Sequence, residues 1–270
     1  MLQIRRIESF EMPELLPYRT MRRQHEQREQ GIFVAEGEKV VRRLLESNFG
    51  LVSVLMPEKW LAPLEGLLSQ RKETVSVFLA EKSLLETLTG FSMYQGLLAV
   101  GKVPPATSLE TLLTERTRPW LFVAADGLSS AENLGALVRN CAAFGVTALL
   151  TSEDCTSPFL RRAVRSSMGT IFELPVLEGL SLSGALGGLR SKNVRCVAAH
   201  ARPEALPITQ ASLRDDTCIV LGSEGYGISD EALAQCHETV LIPMAQSVDS
   251  LNVATAAAVF LYEAKRQRGF

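Results

Sequence analysis

The sequence is poor in metal ligands: three histidines and five cysteines in 270 residues, with no cysteine pair at CxxC spacing. A Cys/His zinc site is hard to assemble from so few groups, so no metal is expected. An odd thiol count (Cys141, Cys155, Cys196, Cys218, Cys236) argues against a disulfide framework and for reduced thiols in a cytosolic protein. Long apolar runs are missing too. The nearest, Val253 to Tyr262, falls short of the roughly 20 residues of a membrane span. The opening MLQIRRIESFEMPE lacks the apolar core of a signal peptide, so the expected location is the cytoplasm, away from membranes. Neither sign of charge dominates, with Lys plus Arg at 28 and Asp plus Glu at 30. Bulk charge therefore does not announce nucleic acid, although a local basic patch is enough to hold phosphates. What is present is an ordinary globular composition, 46% hydrophobic and 21% charged, which excludes a disordered tail or a collagen-like repeat.

Two halves separate at the Val103-Pro104-Pro105-Ala106-Thr107-Ser108 stretch, because a Pro-Pro pair continues neither a helix nor a central strand. The expected division is a domain over 1–102, a linker over 103–119 and a domain over 120–270. In the first, Val52–Met56, Val75–Leu79 and Gly96–Val100 read as strands. Gly37–Ser47 places Val40, Val41, Leu44 and Leu45 on one helical stripe. Arg19, Arg22, Arg23 and Arg28 crowd into ten residues, which suits either a solvated helix face or an RNA-contacting surface. In the second half, strands are expected at Leu121–Ala125, Thr147–Thr151, Arg195–His200, Cys218–Gly222 and Val240–Met244. Helices fall between them, and a long one runs from about Leu251 to Arg266. Such alternation predicts an α/β fold with a mostly parallel sheet, whose ligands gather outside the carboxyl ends of the strands.

Three segments sit just after such strands. The first is Glu132-Asn133-Leu134-Gly135-Ala136-Leu137-Val138-Arg139-Asn140, where Asn133 serves as a helix N-cap or as a site residue. Arg139 lies beside an apolar helix face and needs an anionic or hydrogen-bonding partner. The second is Gly222-Ser223-Glu224-Gly225-Tyr226-Gly227, a turn with close backbone approach. It is not a GxGxxG fingerprint, which counts against a nucleotide-dependent oxidoreductase. In the third, from Ile242-Pro243-Met244 to Ser250-Leu251-Asn252-Val253, Ser250 or Asp249 reads as the cap of the last helix.

Taken in order, these segments resemble the three motifs of the SpoU/TrmH family, RNA ribose 2′-O-methyltransferases of the SPOUT superfamily, over residues from about 120 to 270. The first half also resembles the family's ancillary RNA-binding domain, similar to a ribosomal-protein L30e fold, through Gly31-Ile32-Phe33-Val34-Ala35-Glu36-Gly37 and Gln95-Gly96. The resemblance implies a C-terminal sheet threaded in a deep trefoil knot, a rare topology that no periodicity argument predicts. It implies S-adenosylmethionine as cofactor, held at Ala199, Gly222, Ile242, Ser250 and Leu251. Arg139 matches the arginine assigned to activating the ribose hydroxyl, as base or as electrostatic activator. Asn133, Glu224, Ser250 and Asn252 match the polar residues that position it. The family is usually a homodimer through the C-terminal domain.

The expected activity is methylation of a ribose 2′-hydroxyl in structured RNA, with ribosomal RNA of the 23S type favoured by the added N-terminal domain. The alternatives are the same reaction on tRNA and an RNA-binding protein that kept the fold without catalysis. Arg161, Arg162 and Arg165, in the helical Pro158–Met168 stretch, form a second basic cluster suited to RNA phosphates. No histidine lies inside the motifs, which disfavours a histidine base. Asn140, where many relatives have Thr, and Glu132 depart from the family pattern.

Overall fold

The computed structural model describes residues 2–89, 96–202, 204–245 and 250–269, without the side chains of 24–26 and 89. Gln95 and Asp249, both named above, lie outside the described residues. The chain divides into two compact units: residues 1–105 together with 159–172, and residues 106–158 together with 173–270. Two features revise the expected boundaries. The 103–119 stretch is no bare linker, since Ser108 caps a helix at Leu109–Glu115 by accepting from Thr111 N. Residues 159–172 belong to the first unit although they lie in sequence between strands of the second.

The first unit holds a five-stranded mixed sheet of β1 (Leu2–Arg6), β2 (Ile32–Glu36), β3 (Leu51–Met56), β4 (Val75–Leu79) and β5 (Leu98–Lys102). Their order is β1-β4-β3-β5-β2, with β5 antiparallel to both neighbours. Helix Glu38–Glu46 buries Val40, Val41, Leu44 and Leu45, the stripe expected from the sequence. The 159–172 segment joins through aromatic packing. Phe33 meets Phe159 and Phe172 at ring-centroid distances of 5.7 and 5.5 Å, and Phe49 meets Phe172 at 5.3 Å. Such pairs contribute about 0.5–1.5 kcal/mol each beyond the area they bury.

The second unit is built on seven parallel strands: β6 (Leu121–Asp126), β7 (Ala148–Ser152), β8 (Val176–Leu180), β9 (Arg195–Ala199), β10 (Leu206–Pro207), β11 (Thr217–Gly222) and β12 (Glu238–Leu241). Their order is β10-β12-β9-β11-β6-β7-β8. The parallel α/β expectation holds. Both faces are covered, as parallel sheets require. Phe122, Ala124, Leu150, Ala198 and Val220 join a core with Leu182, Leu186 and Leu189 of helix Leu182–Ser191. Helices Ala131–Ala143 and Val253–Arg268 pack against each other and contact β7 and β11 respectively. Because every strand runs the same way, β6, β11, β9 and β12 deliver Asp126, Gly222, Ala199 and Leu241 to one edge of the sheet. The three motifs leave from that edge. No helix among the described residues is long and apolar enough to cross a membrane.

Candidate active site

Capping decides which motif side chains remain free for other work. Helix Ala131–Ala143 is capped by Ser130, whose hydroxyl accepts from Asn133 N at 3.2 Å. The capping alternative for Asn133 is thereby displaced, and its amide points elsewhere. In the third motif the helix begins at Val253 and its cap is Asn252, not Ser250, with Asn252 Oδ1 accepting from Ala254 N at 3.0 Å. That bond fixes the Asn252 amide, which donates from Nδ2 to Asn133 Oδ1 at 3.0 Å. Asn133 in turn donates from Nδ2 to a carboxylate oxygen of Glu224. One residue from each motif, separated by 91 and 119 positions in the chain, thus joins a single hydrogen-bonded row.

The turn carrying Glu224 is held at both ends. Ser223 N donates to Gly227 O at 3.0 Å and Gly227 N returns a bond to Ser223 O at 2.9 Å. Beyond it, the largely buried carboxylate of Asp126 accepts from Ser229 N at 2.8 Å and from Ser229 Oγ at 2.7 Å. Two residues outside the proposed set support the site as well. Asp126, followed by Gly127 at the end of β6, has the sequence of an ordinary turn and carries no signal of this role. Asn140, the departure from the family pattern, donates to Ala254 O at 2.7 Å and ties the two site-bearing helices together.

Beside the row lies a small cleft of about 110 Å³, lined by Ala199, His200, Ala201, Val240, Leu241, Ile242, Met244, Ser250, Leu251, Ala256 and Phe260. Four of the five expected cofactor residues (Ala199, Ile242, Ser250 and Leu251) are in this wall. Gly222 is not among its lining residues. The structure gives Gly222 a different reason to be glycine: a Cβ there would lie 2.1 Å from Gly227 C and 2.4 Å from Ile228 N. The turn closes on its own backbone at that point. His200, Met244 and Phe260 line the cleft without having been singled out. Burial, aided by the nearby Arg202 charge and opposed by Glu204, pushes the His200 pKa below its ordinary 6.5. The ring is therefore neutral at pH 7.

Arg139 is exposed on helix Ala131–Ala143, and it belongs neither to the hydrogen-bonded row nor to the cleft wall. It lies six positions after Asn133 on the helix, which puts the two about 120° apart around the axis. Ser250 reaches the cleft, on the side of the wall next to Leu251.

The basic residues divide. Arg19, Arg22, Arg23 and Arg28 are all exposed in the first unit. Arg161 is not available to phosphate as expected: its guanidinium is ion-paired with Glu36, the two side chains being 16% and 11% exposed. Arg165 pairs with the other Glu36 oxygen at 3.1 Å while remaining exposed, and Arg162 is exposed as well. Arg161 and Arg165 anchor the 159–172 segment within the first unit through Glu36. Removing one partner of a pair this buried leaves an uncompensated charge costing about 3–5 kcal/mol. The Glu36→Ala protein is accordingly expected to melt at a markedly lower temperature by calorimetry. Arg161→Ala should shift the melting temperature while leaving the salt dependence of RNA binding unchanged. A shallower salt slope in Arg161→Ala would return that residue to the RNA surface.

Comparison with known proteins bears on the same residues. Positions 120–262 match the model of the SpoU rRNA Methylase family. An uncharacterized tRNA/rRNA methyltransferase of Mycobacterium tuberculosis is 32% identical over 87% of this chain and 81% of its own length. The 23S rRNA (guanosine-2′-O-)-methyltransferase RlmB of Vibrio cholerae is 33% identical over 72% of this chain and 79% of its own. Among solved structures, an RNA 2′-O ribose methyltransferase superimposes with a TM-score of 0.79 at 29% identity, covering 98% of this chain and 99% of that one.

Proposed function

The chain belongs to the SpoU rRNA methylase family and is an RNA methyltransferase, and on that premise we propose that it moves a methyl group from S-adenosylmethionine to a ribose 2′-hydroxyl of 23S-type ribosomal RNA. The observation that carries this reading is the Glu224–Asn133–Asn252 row at the mouth of an apolar cleft, with Leu251 in the cleft wall and Asn252 in the row. Ribosomal RNA is preferred over tRNA because of the RlmB relative and the additional unit carrying Arg19, Arg22, Arg23 and Arg28.

The cleft fits the donor by its chemistry. Its described lining contains no carboxylate, lysine or arginine, and its one titratable ring is uncharged at neutral pH. Alanine, valine, leucine and isoleucine side chains suit an adenine, and a neutral His200 spares a sulfonium from a like charge. Ala199, Ile242, Ser250 and Leu251 would hold the donor, which supplies an already activated methyl group.

The chain's own residues have two remaining tasks, to align the hydroxyl and to favour loss of its proton. Asn133 and Asn252 present amides whose orientation is fixed by their mutual bond, and Glu224 offers a carboxylate oxygen to a hydroxyl hydrogen. The Arg139 guanidinium binds the neighbouring phosphate and lowers the hydroxyl's pKa electrostatically. A guanidinium is too weak a base to take the proton itself.

Two further parts belong to this reading. Helix Val253–Arg268 is tied to the segment before β11, its Gln267 accepting from Leu213 N and donating to Ala211 O. Threading of the C-terminal chain as a deep trefoil knot belongs to the same reading. The first unit acts as an L30e-like RNA-binding domain, and two copies pair through the second unit in the cytoplasm, where the ribosomal substrate is made.

The test is transfer of labelled methyl from S-adenosylmethionine to ribosomal RNA from cells lacking the gene, with the modified ribose mapped and tRNA run in parallel. Donor binding without transfer to either RNA would leave only the catalytically silent alternative. A pH effect is also expected. Donor affinity should stay level from pH 8 to 7 and fall as pH drops through the depressed His200 pKa, since imidazolium then faces the sulfonium. Calorimetry on the wild type and His200→Asn, in which the fall disappears, checks this.

A further inference from the structure

Tyr226 is 98% exposed, the most solvent-accessible large hydrophobic side chain among the described residues. It does not sit on a loose loop. Its own N–H donates to Ser223 Oγ at 3.1 Å, inside the turn closed by the paired Ser223 and Gly227 bonds. Two positions earlier, the same turn fixes Glu224 against Asn133. A large aromatic ring held in water by a braced turn loses the hydrophobic gain of burial and retains nothing for the fold. It is pre-ordered for a flat apolar partner.

We propose that Tyr226 is the stacking platform for a nucleobase of the substrate RNA at or next to the methylated nucleotide. The inference rests on the reaction proposed above and adds a positioning residue to it. The row Glu224–Asn133–Asn252 receives a ribose; a base attached to that ribose, or to its neighbour, lies within reach of a ring two residues along the same turn. Sequence-specific RNA recognition works on unstacked bases laid against aromatic side chains, and the phenolic face needs no particular base to accept one. Extending the ring from the turn that holds Glu224 couples base placement to hydroxyl placement, so a nucleotide that stacks is also aligned.

The experiment uses the full chain and unmethylated ribosomal RNA, with Tyr226→Ala, Tyr226→Phe and Tyr226→Trp compared with wild type. One stacked base is worth about 1–3 kcal/mol, so Tyr226→Ala should weaken RNA binding and raise KM for RNA about 5- to 150-fold. Affinity for S-adenosylmethionine, measured separately, should not move. The Phe and Trp proteins should stay within about threefold of wild type, because stacking needs the ring and not the hydroxyl. An Ala protein with wild-type RNA affinity and KM overturns the proposal, as does a Phe protein as weak as Ala, which would assign the effect to the hydroxyl. If wild type binds RNA in a Tyr226-dependent way but transfers no methyl, the reaction fails and the platform stands. If methyl transfer is normal and Tyr226 is indifferent, the reverse holds. Binding and transfer both absent in wild type would sink both.

Discussion

Methyl transfer by the Arg139→Ala protein is expected to fall about 100- to 1,000-fold, the usual loss when one donor aimed at developing charge is removed, with S-adenosylmethionine affinity unchanged. The geometry separates the two effects. Arg139 is exposed and lies outside both the cleft wall and the Glu224–Asn133–Asn252 row, so neither the donor pocket nor the row depends on it. What is lost is a permanent positive charge facing an anionic polymer. Arg139→Lys keeps the charge but not the planar fork, and should fall between alanine and wild type. Transfer rates with labelled donor, set beside donor binding by calorimetry, decide the matter. Donor affinity that collapsed in step with activity would make Arg139 part of the donor site and overturn its assignment to the ribose.

Parts of this architecture were legible in the sequence for physical reasons. Parallel strands covered on both faces are continuous apolar runs, so LFVAA and CIVLG identify themselves as buried strands. Edge strands do not. Leu2–Arg6 has four exposed residues in five and two arginines, and Val176–Leu180 carries a glutamate and a glycine; neither reads as a strand until its neighbour is known. Capping shows the same limit. Ser130 and Asn133 are both favoured caps three residues apart, and the choice is made by Glu224, 91 positions away, which gives the Asn133 amide a better partner. The Arg161–Glu36 pair spans 125 positions, so nothing local in the sequence marks one member of this basic cluster as an internal clamp. The ordered motifs carried the site because they encode convergence. Local patterns could not, because each has an adequate local explanation.

Gly222→Ala is the second substitution with a large expected effect, and it distinguishes two reasons for the same glycine. If the residue is small so that a donor can approach, an added methyl group should raise the donor Kd and leave the turn intact. The coordinates favour the other reason. The new Cβ would sit 2.1 Å from Gly227 C and 2.3 Å from Gly227 O, backbone atoms that cannot rotate away. The Ser223–Gly227 bonds must therefore open, and Glu224 and Tyr226 move with them. Overpacking of this kind costs about 1–3 kcal/mol, which should appear as a lower melting temperature. Transfer should drop at least about 100-fold, since a misplacement of roughly 1 Å at a reacting centre costs that much. Donor binding should change little, because Gly222 is not in the cleft wall whereas Ala199, Ile242, Ser250 and Leu251 are. A Gly222→Ala protein with wild-type stability, wild-type turn geometry and abolished donor binding would restore the direct-contact explanation. The expected pattern of weakened fold, lost transfer and retained donor makes Gly222 the hinge on which Glu224 meets Asn133.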